Sequence, residues 1–173
     1  MTFSFRFLML CFSTVFVNAC TDNTNKKSAT QDTTLQTKSV VQQKYSDKTK
    51  KILNKLIWTT DFDTAKHDFV LIKNREVNPD TLIPQKIIDE INSVEASIFL
   101  QLEKVSHDTI YVSIPDSYYL TERIGTSGAS NYMAYTTFSL TELKGIKYVH
   151  YDFEEGEHLS PGTMTRNNYK NYR

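Results

Sequence analysis

Residues 128–153 read GASNYMAYTTFSLTELKGIKYVHYDF, and they decide the class of fold that the chain can adopt. The run from Gly128 to Leu143 carries apolar or small residues at steps of three and four, which predicts a helix. The inward positions of that helix are Ala129, Met133, Thr136, Leu140 and Leu143. Ser127 is the expected N-cap and Gly145 the expected stop after the helix. Residues 147–153 are rich in aromatic and β-branched side chains and predict a strand.

A second strand precedes this helix. Thr109 to Ile114 reads TIYVSI, and its alternation places Ile110, Val112 and Ile114 on one face, while Pro115 ends it. Two strands joined through a helix form, in the simplest arrangement, a parallel pair with a right-handed crossover.

The upstream part of the chain adds three elements. Residues 47–57 have helical spacing and are closed by Trp58, after which Asp61 and Asp63 are expected in a solvated loop. Residues 67–77, HDFVLIKNREV, predict a strand. Residues 83–104 predict a long helix with Pro84 in its first turn. The apolar stripe of this helix is Ile87, Ile88, Ile91, Val94, Ile98 and Leu102.

The resulting order is β-α-β-α-β with one helix before it. It predicts an α/β (α+β) domain, in which a small sheet of about three to four strands has helices packed on one face.

The net charge limits the partners that the chain can attract, and the number of cysteines limits the disulfides that it can form. Lys and Arg together number 20, as do Asp and Glu, so no net field attracts nucleic acid, and no nucleic-acid partner is expected. The chain has two cysteines, Cys11 and Cys20. Cys11 lies in an apolar run of about eleven residues that follows Arg6 and is too short to span a bilayer. Residues 1–19 therefore have the build of a secretory signal peptide, and its removal would leave Cys20 without a partner for a disulfide.

Val17-Asn18-Ala19-Cys20 resembles the lipobox of bacterial lipoproteins, with Asn18 the least usual of the four residues. The resemblance implies that Cys20 receives a diacylglycerol, that the signal is cut just before it, and that acyl chains such as palmitate anchor the protein in a membrane. Thr21 stands where an Asp would imply retention at the inner membrane. The expected location is therefore the outer membrane, on its periplasmic or surface side.

The rest of the chain divides by composition. Residues 20–46 are polar and predict a flexible tether that reaches roughly 25–30 Å. Residues 47–160 are expected to form the single domain, and residues 161–173 a polar, frayed C-terminal tail.

Residues 108–156 resemble the second half of the domain that bacterial sporulation and spore-germination lipoproteins share. The resemblance is carried by core and turn positions, namely Leu140, Leu143, Gly145, Ile146, Val149 and Gly156. It implies a non-enzymatic domain associated with the cell envelope, and it carries no catalytic residue over.

The sequence favours a binding module for a protein or an envelope polysaccharide, because tyrosines suit interfaces and helix N-termini suit anions. The candidate binding residues are Tyr118, Tyr119, Ser127, Tyr132, Tyr148 and His150. No catalytic residue, metal ligand or cofactor is predicted, and His158 with its neighbouring glutamates is interpreted as a solvated acidic turn. Two alternatives stay open: an envelope hydrolase that uses residues 125–130, GTSGAS, with His150 or His158, and a purely structural lipoprotein.

Overall fold

The computed structural model describes residues 50–51 and 53–172. The predicted signal peptide, Cys20 and the tether lie outside these residues, as does Ile52 of the first predicted helix. Lys50, Lys51 and Leu53 are helical, and Leu56 and Ile57 that follow are buried. Within the part of the chain that is described, no helix has both the length and the apolar character needed to cross a membrane.

In the described part of the chain, six strands form two sheets. The first sheet is a hairpin of β1 (Trp58–Asp63) and β2 (Asp68–Lys73), which run antiparallel. The second sheet has the order β3-β4-β5-β6. Its strands are β3 (Gln101–Ser106), β4 (Thr109–Ser113), β5 (Tyr148–Asp152) and β6 (Gly162–Met164). The central pair, β4 and β5, is parallel, as predicted, and the outer pairs are antiparallel.

From residue 54 to residue 172, the structure has two α-helices and three short helical segments. The α-helices are α1 (Pro84–Asn92) and α2 (Gly125–Leu140). The short segments are 3₁₀ turns at Pro79–Thr81 and Arg166–Tyr172 and a π-helical turn at Tyr119–Arg123. The predicted class, α/β (α+β), is confirmed. Each of the three predicted strands pairs with a further strand that lies next to it in the chain. These additional strands are β1, β3 and β6.

The core lies between α2 and one face of the larger sheet. Ile110 and Val112 on β4 and Val149 and Tyr151 on β5 are all fully buried, as their alternation requires. Helix α2 contacts β5, the β1–β2 hairpin, α1 and the last 3₁₀ segment. Because other elements surround helix α2, nearly all of its side chains from 132 to 140 are buried, and not only those along one stripe.

The predicted helix over residues 83–104 is wrong beyond Asn92. The Asn92 side chain accepts a hydrogen bond from the Leu100 amide and donates one to the Leu100 carbonyl, both at 2.8 Å. This double contact turns the chain back, and β3 then pairs with β4 through a turn in which His107 has a φ of 56°. Ile98 is buried, as the apolar stripe predicts, but it lies in the connecting loop.

The loop predicted around Asp61 and Asp63 is also wrong, because both residues belong to β1. Asp63 closes the hairpin, since its Oδ1 accepts hydrogen bonds from the amides of Ala65 and Lys66. Trp58 begins a strand rather than closing a helix.

Two helix boundaries and the tail need correction. Helix α2 begins at Gly125 with Ile124 as N-cap, so Ser127 lies inside the helix and does not cap it. Gly145, with a φ of 78°, belongs to the turn that leads into β5 rather than to the helix end at Leu140. Residues 162–172 are not a frayed tail: they form β6 and a 3₁₀ segment in which Tyr169 is only 7% exposed.

Candidate binding face

The larger sheet has a second face, opposite the one that packs on α2, and we call it the open face. Its side chains form three rows across the strands. The first row is Ser106, Thr109 and Tyr148; the second is Lys104, Tyr111, His150 and Thr163; the third is Gln101, Ser113 and Asp152. All of these side chains are half-buried or exposed, whereas those that alternate with them on β4 and β5 are buried.

The second row is a continuous chain of contacts across all four strands. The Lys104 ammonium lies 4.7 Å from the centre of the Tyr111 ring, a cation–π distance. The rings of Tyr111 and His150 are 5.3 Å apart between centroids and tilted by 51°. His150 Nδ1 is 2.9 Å from the Thr163 hydroxyl oxygen. These contacts hold two aromatic rings side by side at the middle of the open face.

The strand pairing explains why the row is in register. In the parallel pair Tyr111 lies opposite His150, and in the antiparallel pair Lys104 lies opposite Tyr111. A β-bulge between Leu102 and Lys104 leaves Glu103 as an extra residue on β3. The Glu103 carboxylate then accepts a hydrogen bond from the Ser113 hydroxyl, which brings it to the same face as the third row.

The charge of the open face is low and slightly negative. Among the described residues of this face, Lys104 is the cation and Glu103 and Asp152 are the carboxylates, so these charges do not attract a polyanion.

The structure brings two of the sequence-predicted residues, Tyr148 and His150, together on the open face. Tyr111 lies beside them. The alternation of residues 109–114 predicts this position, because it places Tyr111 on the face of the strand opposite the apolar one. Lys104 and Thr163 had no such signal, because β3 was predicted to be helix and β6 to be tail.

Tyr118 and Tyr119 lie elsewhere, beyond the end of β4, in the chain that leads into and forms the π-helical turn. Tyr118 is 61% exposed and lines a concavity of about 400 Å³ near the carboxyl ends of β4 and β5. The concavity is bordered by acidic side chains, which are Asp116, Glu122, Glu154 and Glu155. These tyrosines therefore belong to a different surface from Tyr148 and His150.

Tyr132 is not a surface residue, so its proposed binding role is wrong. It is only 1% exposed in the middle of α2, and its ring packs edge-on against Tyr135 at 5.5 Å between centroids. Burial, followed by the nearby groups of Tyr135, Tyr151 and Glu95, raises the pKa of the Tyr132 hydroxyl well above its usual value. Ser127 is exposed on the first turns of the same helix, away from the sheet rows.

One contact bears on the hydrolase alternative. The Thr126 hydroxyl oxygen, in the GTSGAS segment, lies 3.3 Å from His158 Nδ1. A nucleophilic hydroxyl also needs its histidine to be oriented by a third group.

Among the described residues, no group of three or more His, Cys, Asp or Glu side chains is placed to hold a metal ion.

The sequence matches no protein-family model, and no curated protein and no solved structure gives a significant match.

Proposed function

We propose that the protein is a lipid-anchored, non-enzymatic binding module of the cell envelope. Its anchor would be the acylated Cys20, with residues 20–46 as a tether and the domain from residue 47 onward as the binding part. The proposal places the protein on the periplasmic or surface side of the outer membrane. It is supported by the lipobox-like Val17-Asn18-Ala19-Cys20, by the short apolar run before it and by the absence of Asp at position 21.

The observation that carries the binding role is the second row of the open face. Tyr111 and His150 present two adjoining rings on a rigid sheet, and Lys104 and Thr163 contact them at either end. Aromatic rings that combine apolar area with a polar tip are suited to recognition, and strands hold them more rigidly than loops do. The ligand of this face would be an envelope polymer or another envelope protein.

The binding module is preferred to the hydrolase because of how the candidate groups are arranged. On the open face, four side chains from four strands meet in one row. The Thr126–His158 contact is a single pair, and Thr126 is exposed on the surface.

The anchor is tested with Cys20→Ser. In cells fed a fatty-acid analogue, we expect the wild-type protein to be labelled and the variant to remain unlabelled and uncut, since the thiol is the acceptor. Cys11→Ser is the matched control and is expected to be labelled like the wild type. Normal processing and release of the Cys20 variant would contradict the lipid anchor.

The binding role is tested by retention on envelope material from which lipids have been extracted. Full-length protein is expected to co-sediment with this material. The double variant Tyr111→Val/Tyr148→Val is expected to lose most of that retention, because it removes two rings of the open face and keeps residues that suit strands. A wild-type protein that stays in the supernatant would instead favour the structural lipoprotein.

A further inference from the structure

We infer that the open face binds a glycan chain that carries hydroxyl and amide groups and no net negative charge, an inference that rests on the proposed binding function. It follows from the chemistry of the three rows, from their length and from their charge.

The aromatic rings of the open face suit the apolar face of a sugar. A pyranose ring has an apolar face of C–H groups and a rim of hydroxyls, so it matches a site where aromatic rings alternate with polar groups. Tyr111 and His150 lie side by side in the second row, and Tyr148 in the first row is 39% exposed. Side chains of this kind bury apolar area without many rotors to order.

The flanking residues supply the hydrogen bonds. The Thr109 and Ser113 hydroxyls donate to Asp108 and Glu103, so their oxygens remain as acceptors for sugar hydroxyls. The amide of Gln101 can both donate and accept. The His150 ring nitrogen that is not engaged with Thr163 can donate or accept one hydrogen bond to a ligand hydroxyl, according to the tautomer.

The same composition argues against a protein partner. The three rows contain no leucine, isoleucine, valine, methionine or phenylalanine. A protein interface usually has an apolar, fully buried centre, and this face offers rings and hydroxyls instead.

The length of the row indicates a chain rather than a single sugar. Neighbouring strands are about 4.8 Å apart, so a row that crosses four strands extends roughly 14 Å. A flat site of this length is suited to several linked sugars laid across the strands.

Charge selects the type of glycan. Lys104 is outnumbered by Glu103 and Asp152, so these charges give no net attraction to a polyuronate, a polyphosphate-bearing chain or a nucleic acid, and they do not oppose an uncharged or amino-bearing chain.

The test is calorimetric titration of full-length protein in detergent with three matched oligosaccharides. They are a hexamer of N-acetylglucosamine, the same hexamer without its acetyl groups, and a hexamer of galacturonic acid. We expect the first hexamer, which carries amide groups, to bind and the third not to bind. Binding of the second hexamer alone would show that the amide groups are not recognised and would overturn the inference. Tyr148→Val should weaken binding about tenfold or more. Tyr118→Val, which changes an exposed tyrosine on a different surface, should leave it unchanged.

Results other than the expected one distinguish failure of the glycan inference from failure of the proposed binding function. If no hexamer binds, or if only the anionic one does, while retention on envelope material still depends on Tyr111 and Tyr148, the glycan inference is overturned and the proposed binding function stands. If retention does not depend on these tyrosines, the proposed function itself fails. The double variant adds a second measurement should Tyr148→Val alone have a small effect.

Discussion

Two buried tyrosines, Tyr132 and Tyr151, differ in what their hydroxyl groups contact. Tyr151 is fully buried, and its hydroxyl lies 2.8 Å from Thr136 Oγ1 and 3.0 Å from Thr137 Oγ1. Burial raises the pKa of Tyr151 to about 12, although both threonine contacts act to lower it. The Tyr132 hydroxyl is also buried, yet no hydrogen-bond partner for it occurs among the described residues. One hydroxyl is therefore satisfied, and the other carries a desolvation cost.

This difference predicts opposite effects of the same substitution. Tyr151→Phe should lower the free energy of unfolding by about 1 kcal/mol, because it removes two hydrogen bonds from the core. Tyr132→Phe should leave the free energy of unfolding unchanged or raise it by up to about 1 kcal/mol, because it removes an unsatisfied buried group. Urea unfolding followed by Trp58 fluorescence measures both. A larger loss for Tyr132→Phe than for Tyr151→Phe would contradict the assigned contacts.

Residue by residue, the sequence revealed the open face only in part. Tyr148 and His150 are predicted as binding residues, Tyr148 because tyrosines suit interfaces, and both lie on the open face. Tyr132 was chosen for the same reason and is buried, because α2 is covered on several sides rather than one. Helical periodicity can identify one buried face, but it cannot show that further elements cover the rest of the helix.

At the scale of elements, Glu142 joins three parts of the fold just after α2. Its carboxylate accepts hydrogen bonds from Trp58 Nε1 of β1 at 3.0 Å and from the Arg166 guanidinium at 2.7 Å. The Lys73 ammonium of β2 is 3.6 Å away. Arg166 also donates to the Phe138 carbonyl, and its guanidinium lies 4.9 Å from the centre of the Phe138 ring. The hairpin and the last 3₁₀ segment are thereby fastened to the end of α2.

We expect Glu142→Gln to destabilise the protein by about 1–3 kcal/mol, since it weakens charge-assisted hydrogen bonds at a largely buried group. Burial alone would raise the pKa of Glu142, but the hydrogen bonds from Arg166 and Trp58 and the nearby positive charges outweigh it, and the net pKa is lowered from 4.5.

Because the pKa of Glu142 is lowered in the folded protein, the direction in which its contribution to stability changes with pH can be predicted. The ionised Glu142 contributes fully above the glutamate pKa of the unfolded chain, and the contribution is lost as pH falls through the lower folded value. The difference in stability between wild type and Glu142→Gln should therefore be largest near neutral pH and shrink below about pH 4.5. Glu157→Gln, at an exposed position, is the control. A difference that grows on acidification would show that Glu142 is not held in its ionised form.

The elements that could be predicted are those whose pattern is decided locally. The alternation in 109–114 and 147–153 and the helical spacing between them indicate β4, β5, α2 and their parallel pairing. Strand β3 could not be predicted, because Ile98 and Leu102 continue the helical stripe of α1 by sequence spacing alone, and the turn depends on Asn92 reaching Leu100. Strand β6 has only three residues, Gly162, Thr163 and Met164, so only its pairing with β5 defines it.

In the molecule as a whole, other elements cover one face of the larger sheet and leave the open face uncovered. Helix α2 packs against the apolar side of β4 and β5, while the open face keeps three ordered rows of polar and aromatic side chains. A sheet held firmly from one side is a rigid support for recognition on the other. In the proposed account, Cys20 determines where the domain is held and the open face determines what it binds, so the two can be separated by mutation.

Retention of full-length protein on lipid-free envelope material tests the open face most directly, because lipid anchoring cannot contribute to it. We expect Cys20→Ser and Tyr118→Val to be retained like the wild type, and Tyr111→Val/Tyr148→Val to be lost to the supernatant despite normal folding. Equal retention of the wild type and the Tyr111/Tyr148 double variant, or loss caused by Tyr118→Val alone, would contradict it.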